Sequence, residues 1–161
     1  MAIEMRIKGL VIDPLSKMPI VVLEDLSRER VLPIWIGVFE ANAIALTIEN
    51  IPTPRPMTHD LITAFLTKLN IAVERIVVTD VRNNTFYATI HCRRGADSVV
   101  IDSRPSDAIA LALRTRSPIY VEDDVVRKAH GLKSDDRPEG AGNLRKWLET
   151  LAPEDLGKYK M

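Results

Sequence analysis

The stretch Asn42-Ala43-Ile44-Ala45-Leu46 decides the fold, because it returns nearly unchanged as Asp107-Ala108-Ile109-Ala110-Leu111. The two copies lie 65 positions apart (107 − 42). Each copy is apolar over a wide arc of the helical circumference, which is typical of a helix buried between layers. The chain is therefore predicted to contain two related buried helices, at about residues 37–50 and 104–116.

The segments before the two helices share a rhythm of three apolar runs. These runs span residues 5–13, 19–26 and 31–36 in the first half, and residues 71–81, 85–92 and 98–102 in the second. They are rich in Val and Ile, the β-branched residues that suit strands. We therefore predict an α+β fold with an internal duplication. A strand-strand-strand-helix unit is repeated over about residues 3–50 and 71–116, and mixed or antiparallel sheets pack on the buried helices.

Composition limits the class of protein. The chain has 161 residues, of which 46% are hydrophobic and 27% are charged, so it can bury the core of one domain or of two closely packed halves. Basic and acidic residues both number 22, so any contact with nucleic acid must be local. The single cysteine, Cys92, and the lack of a signal segment or a membrane-length apolar run predict a soluble, cytoplasmic protein with no membrane contact.

The C-terminal part of the chain differs from the rest. Residues 1–131 are predicted to form the folded domain, residues 132–142 have the composition of a flexible linker, and residues 143–161 form a helical tail. In the tail, Leu144, Trp147, Leu148 and Leu151 follow helical spacing. Such an apolar stripe must dock either on its own domain or on a neighbouring subunit. A homo-oligomer, most simply a dimer, is therefore expected.

A proline-rich arm joins the two halves. Three prolines in alternate positions within residues 52–56 hold the backbone extended, so Arg55 is carried on a stiff segment. Thr58 is predicted as a helix N-cap, with His59 and Asp60 in the first turn. A histidine beside a carboxylate at an open helix start can act as a general base or bind a metal. In the alternative interpretation, Asp60 complements the helix dipole and His59 makes local hydrogen bonds.

The richest polar segment is Asp102-Ser103-Arg104-Pro105-Ser106-Asp107, at the start of the second buried helix. Pro105 suits the first helical position, and the free backbone N–H groups there attract phosphate. Arg104 adds a planar donor fork beside that phosphate site, and Ser106 lies within it. Asp102 and Asp107 provide carboxylates for a hard cation such as Mg²⁺. Together these groups suit phosphodiester hydrolysis, although Ser and Asp in a first turn also serve as simple capping residues.

The first copy of the repeat lacks this polar cluster. It has Gly37-Val38-Phe39-Glu40-Ala41-Asn42 at the corresponding positions. The scaffold is therefore repeated while the polar groups are not, which favours a site in the second half. Glu40 contributes a further carboxylate if the two halves pack about a pseudo-twofold axis.

Several strings of the sequence resemble the bifunctional nuclease family. They are Leu32-Pro33-Ile34-Trp35-Ile36-Gly37, Glu40-Ala41, Pro54-Arg55-Pro56, Thr58-His59-Asp60-Leu61, Thr85-Phe86-Tyr87-Ala88, Arg104-Pro105-Ser106-Asp107-Ala108 and Pro118-Ile119-Tyr120-Val121. The resemblance covers about residues 3–130. It implies an α+β fold built by duplication and metal-dependent cleavage of RNA and DNA. The motif positions His59, Asp60, Arg104, Ser106 and Asp107 are carried over as candidates without assigned roles.

Two classes of function follow. In the first, the chain is a nuclease that hydrolyses phosphodiester bonds. His59 is then the base, Arg55, Arg104 and Ser106 hold phosphate, and Mg²⁺ or Mn²⁺ is bound by Glu40, Asp60, Asp102 and Asp107. In the second, the chain is a non-catalytic binding or regulatory module that holds an anionic ligand or a partner's carboxylate at the same helix N-terminus. The motif resemblance favours the nuclease, and the zero net charge favours the module.

Overall fold

Strands and helices follow one another in two similar series along the part of the chain that the computed structural model describes, residues 1–131. The first series is β1 (Ala2–Ile12), β2 (Pro19–Asp25), β3 (Val31–Trp35) and α1 (Val38–Ile48), followed by α2 (Thr58–Lys68). The second is β4 (Ala72–Arg82), β5 (Thr85–Arg94), β6 (Asp97–Ser103) and α3 (Pro105–Thr115), followed by β7 (Ile119–Glu122) and α4 (Asp123–Gly131). The predicted linker and helical tail lie outside the described residues.

The described strands form one seven-stranded mixed sheet in the order β3-β2-β1-β7-β4-β5-β6. Each half supplies an antiparallel meander of three strands. The short strand β7 joins the halves, because it pairs antiparallel to β1 and parallel to β4. Asn83 and Asn84 form the β4–β5 turn with φ angles of 49° and 60°, the left-handed conformation that a tight hairpin requires.

The α+β class predicted from the sequence is confirmed. Both series run strand, strand, strand, helix in the predicted places, whereas the internal duplication itself stays a prediction. The sheets of the two halves are continuous with each other through β7. In both helices the four apolar residues of the pentapeptide are buried, and Ile44 and Ile109 are each 0% exposed.

Helix α3 lies at the centre of the helical layer. It packs against α1 and α2 and against strands β4 and β5. The N-termini of α2 and α3 and the side chain of Glu40 on α1 thereby meet, as the ion pairs described below show. No helix within residues 1–131 is long and apolar enough to cross a bilayer, and the cytoplasmic location stays a prediction.

Candidate functional site

The first turn of α2 begins one residue earlier than predicted. Met57, in extended conformation after Pro56, is the N-cap, and Thr58 is the first helical residue. The prediction of Thr58 as N-cap was therefore wrong. The reason is Asp60, whose Oδ2 accepts the Met57 backbone N–H at 2.9 Å, so that an acid in the third helical position satisfies the N-cap backbone. His59 and Asp60 lie in the first turn, as predicted.

Asp60 also pairs with a buried arginine. Its Oδ1 accepts from Arg114 Nε at 2.7 Å, and Arg114 donates its other N–H groups to the carbonyls of Ala110 and Ala43, each at 3.0 Å. The Arg114 side chain is 8% exposed, so this arginine is buried although it lies near the end of its helix. The backbone hydrogen bond from Met57 and the Arg114 guanidinium hold the pKa of Asp60 below its usual value. Arg114 thus ties α3 to both α1 and α2.

Four ionisable residues from α1, α2 and the start of α3 form a continuous chain, which we call the charge cluster: His59, Asp107, Arg104 and Glu40. His59 Nε2 lies 2.9 Å from Asp107 Oδ1. Arg104 donates from Nε to Asp107 Oδ2 at 2.8 Å and from Nη1 to Glu40 Oε1 at 2.9 Å. The charge cluster therefore unites four of the residues singled out from the sequence, including Glu40 from the first copy.

Glycine at position 37 makes room for the Glu40 side chain. A Cβ atom at this residue would overlap Glu40 Oε2, so the end of the Glu40 side chain would have to move. The Glu40 carboxylate lies back over the start of α1 and still reaches Arg104. The Gly37 that opens the first buried helix therefore has a local steric role beside the cluster.

One side of the charge cluster stays open to solvent. The ring of His59 is mostly buried, with 10% of its side chain exposed. Its Nδ1 has no hydrogen-bond partner within residues 1–131. Every fully buried side-chain nitrogen of these residues does have a partner, so Nδ1 is not fully buried and solvent reaches it. Arg104 is 64% exposed and its Nη2 makes no hydrogen bond to the described residues. The cluster thus presents one base and one cation outward.

Their neighbours favour the charged forms of Asp107 and Arg104, the two central residues of the charge cluster. Burial raises the pKa of Asp107, but the hydrogen bonds from Arg104 and His59 outweigh it, and the pKa lies below its usual value. The hydrogen bonds to Asp107 and Glu40 raise the pKa of Arg104. Asp107 is therefore a carboxylate at neutral pH. It favours the tautomer in which His59 carries its proton on Nε2 and keeps the Nδ1 lone pair free.

The lowered pKa values of Asp60 and Asp107 predict a loss of stability in acid. A depressed carboxyl pKa stabilises the fold at pH values above the unfolded pKa, about 3.9, and this contribution disappears as the pH falls through the folded value. We expect the free energy of unfolding to decrease between about pH 5 and pH 2. Urea unfolding across this range should show a shallower decrease for Asp107→Asn, and an identical slope would contradict the coupling.

The N-terminus of α3 lies beside the charge cluster. Pro105 occupies the first helical position, as predicted, and the N-cap is Arg104, which makes no side-chain capping hydrogen bond. Ser106 is 6% exposed and its hydroxyl makes no hydrogen bond to the described residues. The first backbone N–H groups of α3 consequently have no side-chain cap, so they remain donors for an anion held by Arg104.

Other predicted site residues lie apart from the charge cluster. Asp102 is exposed on β6 and makes no side-chain hydrogen bond or ion pair within residues 1–131. Arg55 lies on the proline arm, in a groove lined also by Asp60 and Arg114. The Asp60 carboxylate pairs with Arg114, whereas His59 pairs with Asp107. Arg55 and Arg104, the two arginines predicted to hold phosphate, thus lie in different places.

The carboxylates near the charge cluster are mostly engaged in hydrogen bonds. Within residues 1–131, no three side chains of the ligating types are grouped so as to hold one. Both oxygens of Asp60 and both of Asp107 already have hydrogen-bond partners, and Glu40 keeps only Oε2 free of one. Among the described residues, these carboxylates therefore form no preassembled three-ligand metal site. The predicted ligand set of Glu40, Asp60, Asp102 and Asp107 stays a prediction.

Comparison with known proteins identifies the family. The bifunctional nuclease domain matches residues 21–133. Two uncharacterized proteins from strains of Mycobacterium tuberculosis are 34% identical over 162 residues, covering 95% of this chain and 97% of theirs. Bifunctional nuclease 1 of Oryza sativa subsp. indica is 25% identical over 102 residues, which cover 62% of this chain and 30% of the plant protein. The chain belongs to the bifunctional nuclease domain family.

Proposed function

We propose that the chain is a nuclease that cleaves phosphodiester bonds at the charge cluster. One observation carries the proposal: His59 is held through Nε2 by the Asp107 carboxylate while Nδ1 faces solvent. An oriented base with a free lone pair is the arrangement that general-base catalysis needs. The family and the name of the plant relative favour nucleic acid as the substrate.

Three members of the cluster have a role in this proposal. His59 Nδ1 takes the proton from the attacking hydroxyl, which is the 2′-hydroxyl of RNA or a water molecule. The new P–O bond forms as the bond to the leaving oxygen breaks, and that oxygen takes a proton from solvent. Arg104 Nη2 and the N-terminal N–H groups of α3 hold the phosphate oxygens, whose negative charge grows in the transition state. Asp107 fixes the tautomer and stabilises the protonated imidazole.

A divalent metal ion remains a separate proposal. Mg²⁺ in nucleic-acid enzymes commonly uses one or two carboxylates and completes its coordination with substrate phosphates and waters. The free Oε2 of Glu40 is the carboxylate oxygen of the cluster that such an ion would meet first. Loss of cleavage in EDTA with recovery in Mn²⁺ would favour the ion, whereas full activity in EDTA would contradict it.

A specific observation also favours the alternative, a non-catalytic module. The same ion pairs that form the charge cluster tie α1, α2 and α3 together, so these residues have structural value without catalysis. In this alternative the Arg104 side chain and the start of α3 hold an anionic ligand or a partner's carboxylate. The two functions differ in whether the bound phosphodiester is broken.

Cleavage of labelled single-stranded RNA and DNA by repurified protein tests the nuclease proposal. We expect activity to follow the protein through two further chromatographic steps and to fall about 10²–10³-fold in Arg104→Ala, because a phosphate contact that strengthens in the transition state is lost. Arg75→Ala is the matched control, since Arg75 is exposed on β4 with no ion pair within residues 1–131. Activity that separates from the protein, or that survives in Arg104→Ala, would contradict the proposal.

We further propose that the chain forms a homodimer through β6. This strand is one of the two edges of the sheet that residues 1–131 form, and Val99, Val100 and Ile101 are 50%, 57% and 44% exposed. Antiparallel pairing of two copies about Val100 sets Val99 opposite Ile101 and places the aspartates opposite serines at both ends, so apolar residues face each other. Light scattering on a size-exclusion column should give the mass of a dimer, and a monomer at all concentrations would contradict this.

A further inference from the structure

A groove lies away from the charge cluster. Its volume is about 740 Å³, and it runs between the end of α1, the proline arm and the end of α3. None of the four cluster residues lines it. Arg104 and Arg116 cap opposite ends of α3, 12 residues apart (116 − 104), or about 18 Å at 1.5 Å per residue. The groove and the charge cluster are therefore distinct sites.

The groove carries unneutralised positive charge. Its charged lining residues are Arg55, Arg114, Arg116 and Asp60. Arg114 is neutralised by Asp60 and donates its hydrogen bonds to Asp60 and two carbonyls. It therefore forms part of the groove wall and is not available to a ligand. Arg55 and Arg116 are exposed and have no side-chain hydrogen bond or ion pair within residues 1–131. The groove thus has two available cations in a chain of zero net charge.

Both cations are held by ordered backbone. Pro54 and Pro56 flank Arg55, and the Thr53 hydroxyl donates to the Arg55 carbonyl at 2.8 Å. Arg116 is the C-cap of α3 in the left-handed conformation, with φ 56° and ψ 39°. Anchors on a fixed backbone reduce the entropy lost when a ligand binds. The groove is thus lined by one arginine from the arm and one from the end of α3.

The rest of the lining indicates the kind of anion. Leu46, Ile51, Leu113 and the three arm prolines give the groove apolar walls, and Asn50 and threonines add hydrogen-bonding groups. Guanidinium forks match phosphate oxygens, and the apolar walls suit a flat organic body attached to them. The volume lies within the range of roughly 300–1,000 Å³ found for small-molecule sites.

We propose that this groove binds a phosphorylated ligand of nucleotide size, with its phosphate between Arg55 and Arg116 and its base or sugar against the apolar walls. The ligand is a free nucleotide or the terminal nucleotide of a strand. This site goes beyond the proposed hydrolysis, because binding here needs neither His59 nor Arg104.

Fluorescence anisotropy tests the groove with two probes, a labelled AMP and a labelled 5′-phosphorylated trinucleotide of DNA. We expect both Arg55→Gln and Arg116→Asn to weaken binding about 10- to 100-fold, the loss typical of a charged hydrogen bond to phosphate. Asparagine tolerates the left-handed backbone at position 116, so the variant keeps its fold. Arg28→Asn is the matched control, since Arg28 is an exposed arginine with φ 64° in a turn away from the groove.

The outcomes separate the alternatives. Tighter binding of the trinucleotide would assign the groove to a strand end, and equal binding would assign it to a free nucleotide; both agree with the proposal. Absence of binding, binding unchanged in both variants, or equal competition by a hexaglutamate peptide would overturn it. Cleavage is measured on the same samples. A protein that binds through Arg55 and Arg116 but cleaves nothing would contradict the nuclease proposal alone, and the reverse would contradict the groove alone.

Discussion

Replacing His59 by glutamine is expected to lower the rate of phosphodiester cleavage about 10²–10⁴-fold, the usual contribution of a positioned general base. Glutamine can still donate a hydrogen bond towards Asp107, but its amide cannot take a proton from the attacking hydroxyl. The loss should lie in the cleavage rate rather than in nucleic-acid affinity, because Arg104 and the start of α3 remain. Single-turnover cleavage and equilibrium binding, measured on the same preparation, separate the two effects.

The matched control for this variant is His91→Gln. His91 lies on β5, is half-buried and has its Nε2 within 3.2 Å of the Thr89 hydroxyl, with no contact to the charge cluster. Its substitution should leave the cleavage rate within about twofold, since substitutions away from special contacts have small effects. An equal loss in both variants would point to general damage of the fold, and no loss in His59→Gln would remove the base from the proposal.

Replacing Asp60 by alanine is expected to destabilise the fold by about 3 kcal/mol. The change leaves the Arg114 side chain, which is 8% exposed, without its anion and leaves the Met57 N–H without its acceptor. Loss of one partner of a buried pair costs about 3–5 kcal/mol, and we take the lower end because 38% of the Asp60 side chain is exposed. For a chain of this size the melting temperature should fall by roughly 6–12 °C.

Differential scanning calorimetry of Asp60→Ala and Glu29→Ala measures this effect. Glu29 is exposed in the turn after β2 and its side chain has no partner within residues 1–131, so its substitution should change stability by less than about 0.5 kcal/mol. The double variant Asp60→Ala/Arg114→Met should recover part of the loss, because an apolar side chain replaces the orphaned cation. A melting temperature unchanged in Asp60→Ala would show that this ion pair contributes nothing.

Much of the fold could be predicted because its signals are local. The wide apolar arcs of the two repeated helices and the Val- and Ile-rich runs placed α1, α3 and the six strands of the two meanders within a few residues. The pairing of β7 with both β1 and β4 could not be read in this way. It joins residues that are far apart in sequence, such as Ile3 with Val121. The spacing of apolar residues within one strand does not indicate which distant strand it pairs with.

The residues of the charge cluster could be predicted by type and position, but their partners could not. Successive residues of a helix point about 100° apart, so His59 and Asp60 meet different neighbours. His59 contacts Asp107, while Asp60 contacts Arg114. The burial of Arg114 was missed because it arises from α1 and α2 packing around α3, which a reading of α3 alone does not show. Its one signal is its position on a helix that is apolar nearly all round.

The same geometry separates Arg55 from Arg104. Both were predicted to hold phosphate in the nuclease interpretation. In the fold, the proline arm carries Arg55 to a groove at the C-terminal end of α3, whereas Arg104 caps the N-terminal end. The two arginines therefore lie in different places, and we expect substitutions at them to have separable effects on nucleotide binding and on cleavage.

A double-mutant cycle on the cleavage rate tests the central claim most directly, namely that His59 and Asp107 act as one unit. The rate is measured for the wild type, His59→Gln, Asp107→Asn and the double variant, each shown by circular dichroism to be folded at the assay temperature. We predict that Asp107→Asn loses at least about 10²-fold, and that the double variant is no slower than His59→Gln, because Asp107 affects the rate mainly through the imidazole while Glu40 still holds Arg104 in place. A folded Asp107→Asn protein that cleaves at the wild-type rate, or losses that multiply in the double variant, would contradict the account.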